Sequence, residues 1–443
     1  MSVSERRRSA TAPRNARAPR RFSALVALAW ASTLLFPRPA ASAGAAPPPA
    51  IVSAFPSFAR VPRVDLVEKP SPLEPLRTLE GRLREELGLP SGGAPFLLAK
   101  HDDVAEGLVG GNKARKLEYL LGEAKARRVR AVVTSGRLGT NHGLASVAAA
   151  RGLGMPATVI LGPQPVTEAI RRKLLAMHAA GAEMRFHSTV VGWAVDVALY
   201  KLTALLFPDE LFYIPPSGTS DVGSIGYANA FFELLAQTGD EGLPDEIVVA
   251  ASTGGTAAGL LAGMCLAGRW ERVRIRAVGV TDEWLQSEWL LRREAREAFR
   301  AVRDALDPAD RVRVAECDFM ENRSVLTYEH GYLAPGYGKS DERLEGVMRL
   351  LRDSEGVELD PTFTAKAMRH FLDRARERML AGDTRRPILF WNTYAPVDVE
   401  AAIRDHRWKD PAAPWRELPP EMQALFEPPK AERRAAAAAI VTR

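Results

Sequence analysis

The chain predicts an α/β protein built on open parallel sheets. Three observations carry that prediction. Short apolar runs alternate with longer stretches whose apolar residues recur at helical spacing. Glycine, serine, threonine and asparagine cluster where an apolar run gives way to a helical stretch. Of the 443 residues, 46% are hydrophobic and 26% charged, enough to bury a large core.

The elements follow in order. Leu73 to Leu87 reads as a helix, with Leu76, Leu79, Leu83 and Leu87 along one face, and Phe96 to Lys100 as a short strand. Lys113 to Ala126 reads as a helix with Leu117, Leu120, Leu121 and Ala124 as its apolar stripe. Arg130 to Thr134 is a buried strand, and Asn141 to Ala150 an alanine-rich helix ending at Gly152. Ala157 to Leu161 is the next strand, followed by a helix from Thr167 to Ala180 that Gly181 ends, and by the strand Glu183 to Phe186. The pattern restarts after Tyr227 with a helix to Gln237, then the strand Ile247–Ala251, a helix from Ala257 and the strand Val273–Val280. Arg386 to Trp391 is the last strongly apolar strand, and the Pro- and Ala-rich residues after about Asp410 are expected to be peripheral.

The formal charge of +6 is concentrated at the amino terminus. Residues 1–43 hold eight arginines and one acid, Glu5, so the remainder is close to neutral and carries no nucleic-acid footprint. Arginines from Arg6 to Arg21 precede an apolar run from Phe22 to Phe36 and the small-residue site Ala41-Ser42-Ala43, which reads as a secretory leader. Arg20-Arg21-Phe22 hints at twin-arginine export. The apolar run is short for a membrane span, so no integral segment is expected once the leader is removed. Exported or periplasmic residence is expected if the leader is used; if it is only an Arg/Ala/Pro extension, the protein is cytoplasmic. Pro47-Pro48-Pro49 reads as a stiff linker. Two cysteines do not make a disulfide framework, and Cys265, after an apolar helix start, is expected to be buried and inert.

Two segments carry chemistry. In Gly110-Gly111-Asn112-Lys113-Ala114-Arg115-Lys116, a tight turn leads Lys113 into a helix, with Lys116 one turn further on the same face. Far downstream, Ser252-Thr253-Gly254-Gly255-Thr256 joins a strand to a helix, where glycines let the backbone approach an anion and the helix dipole favours one. It does not match the nucleotide-binding pattern G-x-x-x-x-G-K-[ST]. An amine nucleophile plus a phosphate cradle is what an enzyme using pyridoxal 5'-phosphate requires. Thr140-Asn141-His142 lies between a strand and a helix, where Thr140 or Asn141 caps the helix or faces a ligand.

The run Gly110 to Glu118 resembles the cofactor-lysine segment of the 1-aminocyclopropane-1-carboxylate deaminase/D-cysteine desulfhydrase family. Further segments are similar to that family's in the same order: Thr140-Asn141-His142, Ile214-Pro215-Pro216-Ser217-Gly218, Gly226-Tyr227 with Glu233-Leu234, the Ser252–Thr256 run, Gly336-Tyr337-Gly338, Leu359-Asp360-Pro361 and Lys366-Ala367-Met368. The resemblance spans about residues 60–400. It implies a tryptophan-synthase-β-like fold (fold type II), with two α/β domains and pyridoxal phosphate in the cleft between them. The expected division is a leader over 1–43, a linker over 44–59, a large cofactor domain from 60–115 and 223–410, a small domain from 116–222 and an extension over 411–443. The resemblance implies Lys113 as the lysine that carries the cofactor, Lys116, Thr253, Gly254, Gly255 and Thr256 at its phosphate, and Asn141 at its ring oxygen. It implies Thr364 at the pyridine nitrogen, Thr393 beside the cofactor, and Thr140 and Tyr337 on the substrate side, in a homodimer acting on a small amino acid.

Departures from the family pattern fall on the substrate side. Gly139 and Leu144 flank Thr140-Asn141-His142 where the family has glutamine and arginine. Phe363 replaces a tyrosine, and Asn392-Thr393-Tyr394-Ala395 replaces His-Thr-Gly-Gly. Thr364 resembles the desulfhydrase branch, whereas the deaminases carry an acid there. The expected activity is β-elimination from an amino acid such as D-cysteine, with aminocyclopropane ring opening or cofactor binding without turnover as alternatives.

Overall fold

The computed structural model describes residues 48–281, 287–314 and 317–426; the leader expected over 1–43 lies outside the described residues. Ten strands, with helices between them, form the two main sheets, and Ala105–Glu106 pairs with Val109–Gly110 as a separate two-stranded ribbon. The strands are β1 Leu73–Pro75, β2 Leu97–His101, β3 Ala131–Arg137, β4 Ala157–Gly162, β5 Glu183–Phe186, β6 Leu211–Ile214, β7 Glu246–Ala251, β8 Arg274–Gly279, β9 Leu326–Glu329 and β10 Ile388–Asn392. The larger sheet has the order β1-β2-β10-β7-β8-β9, parallel except for the antiparallel edge β1. The smaller has the order β5-β4-β3-β6 and is wholly parallel. Parallel pairing needs crossovers, and the helices that supply them cover both faces.

The helices that matter for the site are α1 Arg77–Glu86, α2 Gly111–Ala126, α3 Asn141–Gly152, α4 Glu168–Ala179, α5 Val190–Leu206, α6 Asp221–Thr238, α7 Gly255–Leu266, α8 Glu288–Ala305, α9 Glu342–Glu355, α10 Thr364–Leu380 and α11 Val399–Asp405. Strand β7 shows how the central sheet is buried. Ile247, Val249 and Ala251 pack into one layer with Tyr227, Phe231, Leu260 and Trp391, while Val248 faces the other with Phe96, Met368, Phe371 and Phe390. The small sheet packs its own core around Leu117, Val132, Leu144, Val159 and Leu174.

Several expectations change. The helix expected from Leu73 begins only at Arg77, because Leu73–Pro75 forms the edge strand β1; Pro75 disfavours helical backbone at the preceding Glu74 and is tolerated at a sheet edge. The stretch expected as a linker contributes Ile51, Phe55 and Phe58 to the large core, at helical spacing. Residues after Asp410 are not peripheral as far as they are described: Leu418 and Met422 are buried in the small core. Helices α5, α8, α9 and α10 and strands β6 and β9 were not anticipated.

The cysteines also differ from expectation. Cys265, at the end of α7, is disulfide-bonded to Cys317, with Cα atoms 5.5 Å apart. The reason is tertiary. Arg292 of α8 donates to the carbonyls of Arg323 and Leu326, at 2.9 and 2.5 Å, and also to that of Phe319, which folds the 317–326 segment back over α7.

Candidate active site

The amino end of α2 sits where three chain segments meet. Gly111 adopts φ +65, and a Cβ there would lie 2.6 Å from the Thr393 carbonyl, so the turn accepts only glycine. The Asn112 N–H donates to that same carbonyl at 3.1 Å, and its side-chain amide donates to Thr256 Oγ1 at 3.1 Å. Helix α2 is thereby fixed to the end of β10 and to the start of α7.

A buried charge network fixes the next turn. Arg115 donates to Asp102 at 2.8 Å and to both oxygens of Glu233 at 3.0 and 2.9 Å. Tyr227 and Trp391 each donate to Asp102 at 2.7 Å, and Lys100 donates to Glu233 at 2.6 Å. Burial alone would raise the Glu233 carboxyl, but Arg115 and then Lys100 hold it down at about 2. Removing one partner would leave a buried charge unpaired.

With its helix fixed in this way, Lys113 faces a cleft lined by Lys116, Asn141, Lys173, Thr253, Gly254, Gly255, Thr256, Asp360, Phe363 and Thr393, among others. Its amine donates to Asn112 Oδ1 and lies 5.8 Å from the centre of the Phe363 ring. Burial lowers it to about 8, with Asp360 opposing. Lys116 is lowered further, to about 7, by burial and by Lys113, with Glu294 opposing. His142, pushed down to about 3 by burial and by both lysines, stays neutral.

Opposite the lysines is the glycine turn. Gly254 has φ +83 and caps α7 without any side-chain hydrogen bond, so the first N–H groups of α7 are left for a ligand. A Cβ on Gly255 would lie 2.6 Å from Thr219 Oγ1 and 3.1 Å from Lys116 Nζ. Thr219 and Thr253 share a hydroxyl hydrogen bond of 2.7 Å. Ser217 holds φ +60, and its carbonyl accepts from Lys116 at 3.3 Å. A bare helix start, hydroxyls and a lysine around a space that glycine keeps open fit a phosphate, and Lys113 lies within the same cleft.

The remaining expected residues divide. Asn141 and Thr393 line the cleft. Thr140, Tyr337 and Thr364 are not among the lining residues. Thr140 caps α3, its Oγ1 accepting from the Gly143 N–H at 3.1 Å. Thr364 is 1% exposed and donates its hydroxyl to Asp360 at 2.9 Å. Tyr337 packs edge-on behind Phe363, 5.8 Å between centroids, on a loop whose carbonyls at Leu333 and Gly336 accept from Lys366. Two cleft residues were missed. Lys173 of α4 donates to Asn141 Oδ1 at 2.5 Å, which leaves the Asn141 NH2 to donate into the cleft. Asp360 caps α10 by accepting from the N–H groups of Thr362, Phe363 and Thr364, and is the acid of the cleft.

Comparison with known proteins agrees with this geometry. Residues 64–392 match the family described as pyridoxal-phosphate dependent enzymes. The chain is 29% identical over 340 residues to a protein of Pyrococcus abyssi provisionally named 1-aminocyclopropane-1-carboxylate deaminase, covering 76% of this chain and 92% of that protein. It is 28% identical over 347 residues to the D-cysteine desulfhydrase of Klebsiella pneumoniae, covering 76% and 95%. A solved structure described as an ACC deaminase homologue superposes with a TM-score of 0.59 at 28% identity, covering 77% of this chain and 94% of that one. An O-acetyl serine sulfhydrylase isoform of Entamoeba histolytica shares the fold at 13% identity, with a TM-score of 0.51 and coverage of 86% and 96%. The fold is type II, as expected. From the matched span and the cleft together, the chain belongs to the pyridoxal-phosphate dependent enzymes.

Proposed function

We propose that this chain is a pyridoxal-phosphate-dependent lyase that eliminates a β-substituent from a small amino acid, with D-cysteine as the model substrate. The observation that carries the reading is the Lys113 amine, held near 8 by burial within a cleft that also contains the glycine turn and Lys116. The relatives named D-cysteine desulfhydrase support the substrate class.

Lys113 is the amine that carries the cofactor, and the start of α7, Thr253, Thr256 and Lys116 hold its phosphate. When bound, pyridoxal phosphate supplies an electron sink for the charge left on the substrate α-carbon. With the cofactor held there, the Lys113 amine would accept the substrate α-proton. An amine near 8 is partly neutral at physiological pH and so suited to that task. The Cβ–S bond then breaks with its electron pair leaving on sulfur, and hydrolysis of the remaining enamine gives pyruvate and ammonia. Phe363 presents an apolar wall to Lys113 rather than a phenol. Thr364, which the resemblance sets at the pyridine nitrogen, offers a hydroxyl there and not an acid. Both favour substrates with a good leaving group over ring opening.

Pyruvate release from D-cysteine and 2-oxobutanoate release from 1-aminocyclopropane-1-carboxylate, measured side by side, test this. Faster turnover of D-cysteine is expected. Faster turnover of the cyclopropane would overturn the substrate class, and silence on both and on a panel of D- and L-amino acids would favour cofactor binding without turnover.

We also propose export with cleavage after Ala43, supported by the leader and by the Cys265–Cys317 disulfide, a bond that persists in oxidising compartments. Amino-terminal sequencing of fractionated cells tests it, and intact Met1 in the cytosol contradicts it. Among the described residues no helix is long and apolar enough to cross a membrane. Homodimerisation is proposed with it, supported by the apolar face of α5, where Val191, Val195, Leu199 and Leu202 are at least half exposed. Sedimentation at a monomer's mass would refute it.

A further inference from the structure

Away from the cleft, three chain segments bring together two imidazoles and a carboxylate. His178 lies at the end of α4, His406 directly follows α11, and Glu417 ends the short turn Pro414–Glu417. One ligand atom from each lies within 4.8 Å of the others, and all three residues are half-buried. A tetrahedral zinc centre, with bonds of about 2.0–2.2 Å, needs its ligand atoms about 3.4 Å apart, which small side-chain rotations supply.

The surroundings are organised for ligands rather than for pairing. Trp408 stacks on His178, 5.5 Å between centroids at 18°, and meets His406 edge-on at 4.4 Å, packing against both rings. Trp408 is itself anchored by its indole N–H to the Ile403 carbonyl at 2.8 Å. Among the described residues, none hydrogen-bonds the ring nitrogens of His178 or His406. Glu417 accepts from the Lys409 N–H at 2.5 Å through one oxygen, which leaves the other for a ligand. Arg416 pairs with Asp410 at 3.1 Å and closes the loop that carries Glu417.

We propose that His178, His406 and Glu417 form a zinc site that staples the carboxy-terminal segment to the small sheet's core. Two imidazoles with one carboxylate suit zinc or a neighbouring transition metal, not magnesium or calcium. The three ligands leave a fourth position for water. The site's role follows from its place. Residues 406–417 connect α11 to Leu418 and Met422, which are buried in the small core. A metal there ties α4, which also carries Lys173, to the segment that closes over it.

The test uses the full chain, stripped with EDTA, desalted, and titrated with zinc chloride or cobalt chloride. One zinc per chain is expected after gel filtration, together with visible cobalt absorption of a low-coordinate centre and a melting temperature raised by zinc. His178→Ala and His406→Ala should abolish the cobalt band, and Glu417→Gln should weaken zinc binding at least tenfold. His187→Ala, whose ring pairs with Asp196 elsewhere, should bind as the parent does. Circular dichroism matching the parent keeps a loss of binding from being a loss of fold. Absence of bound zinc in the parent, or equal zinc binding by the folded His178→Ala/His406→Ala chain, overturns the proposal.

Discussion

Lys116 and Gly255 face each other across the phosphate cradle: the lysine Nζ lies 3.1 Å from where a Cβ on Gly255 would stand. The space a ligand needs is therefore the space a side chain would fill. Gly254, at φ +83, adds a backbone constraint to the steric one. Replacing Gly255 by valine or Gly254 by leucine should raise the dissociation constant for pyridoxal phosphate at least tenfold, about 1.4 kcal/mol. Cofactor titrations followed by absorbance check this, and unchanged retention would refute the cradle.

Capture of the cofactor requires a neutral lysine. Burial, opposed by Asp360, puts Lys113 near 8 rather than in the ordinary lysine range. The rate of cofactor attachment should therefore rise with pH and level off above about 8, falling roughly tenfold per pH unit below it. Asp360→Asn removes the charge that stabilises the protonated amine, so its midpoint should move lower still. Stopped-flow absorbance reads both. A midpoint near 10.5 in the parent would contradict the burial argument.

The Arg115–Glu233 pair makes an acid-side prediction. Glu233 is held at about 2, below the unfolded value of about 4.3. Its contribution, about 3 kcal/mol, is present above pH 4.3 and lost as pH falls through 2. Glu233→Gln should be destabilised at pH 7, because it leaves Arg115 and Lys100 without their charge partner, and should lose less additional stability than the parent between pH 5 and pH 2.5. Urea unfolding at the three pH values measures this, and parallel losses would argue against the pair.

The Cys265–Cys317 bond closes 52 residues of chain. Restricting the unfolded chain over such a loop is worth up to about 4 kcal/mol. Thermal unfolding with and without reductant should show a lower melting temperature when reduced, and Cys317→Ser should reproduce the shift without reductant. Mass spectrometry finding two free thiols in the oxidised preparation would remove the bond from the account.

How much of this was legible in the sequence depended on whether the signal was local. Lys113, Lys116 and the Thr253–Thr256 turn were legible because each lies in a short run whose glycines set its backbone. Lys173 was not, since Arg171-Arg172-Lys173 reads as a solvated helix face until α4 packs against α3 and brings its amine to Asn141. Thr364 was singled out only through the resemblance; its helix was not anticipated, and its hydroxyl bond to Asp360 depends on the capping turn. Pro75 did signal against helical backbone at Glu74, and leucine spacing masked it. The disulfide was hidden for a different reason: what brings Cys317 to Cys265 is Arg292, gathering carbonyls from Phe319 to Leu326 by contacts distant in sequence.

The central claim is that Lys113 carries pyridoxal phosphate, and borohydride reduction of the loaded protein followed by peptide mapping tests it most directly. The pyridoxyl group is expected on Lys113 alone. Finding it on Lys116, Lys173 or Lys366 would contradict the account.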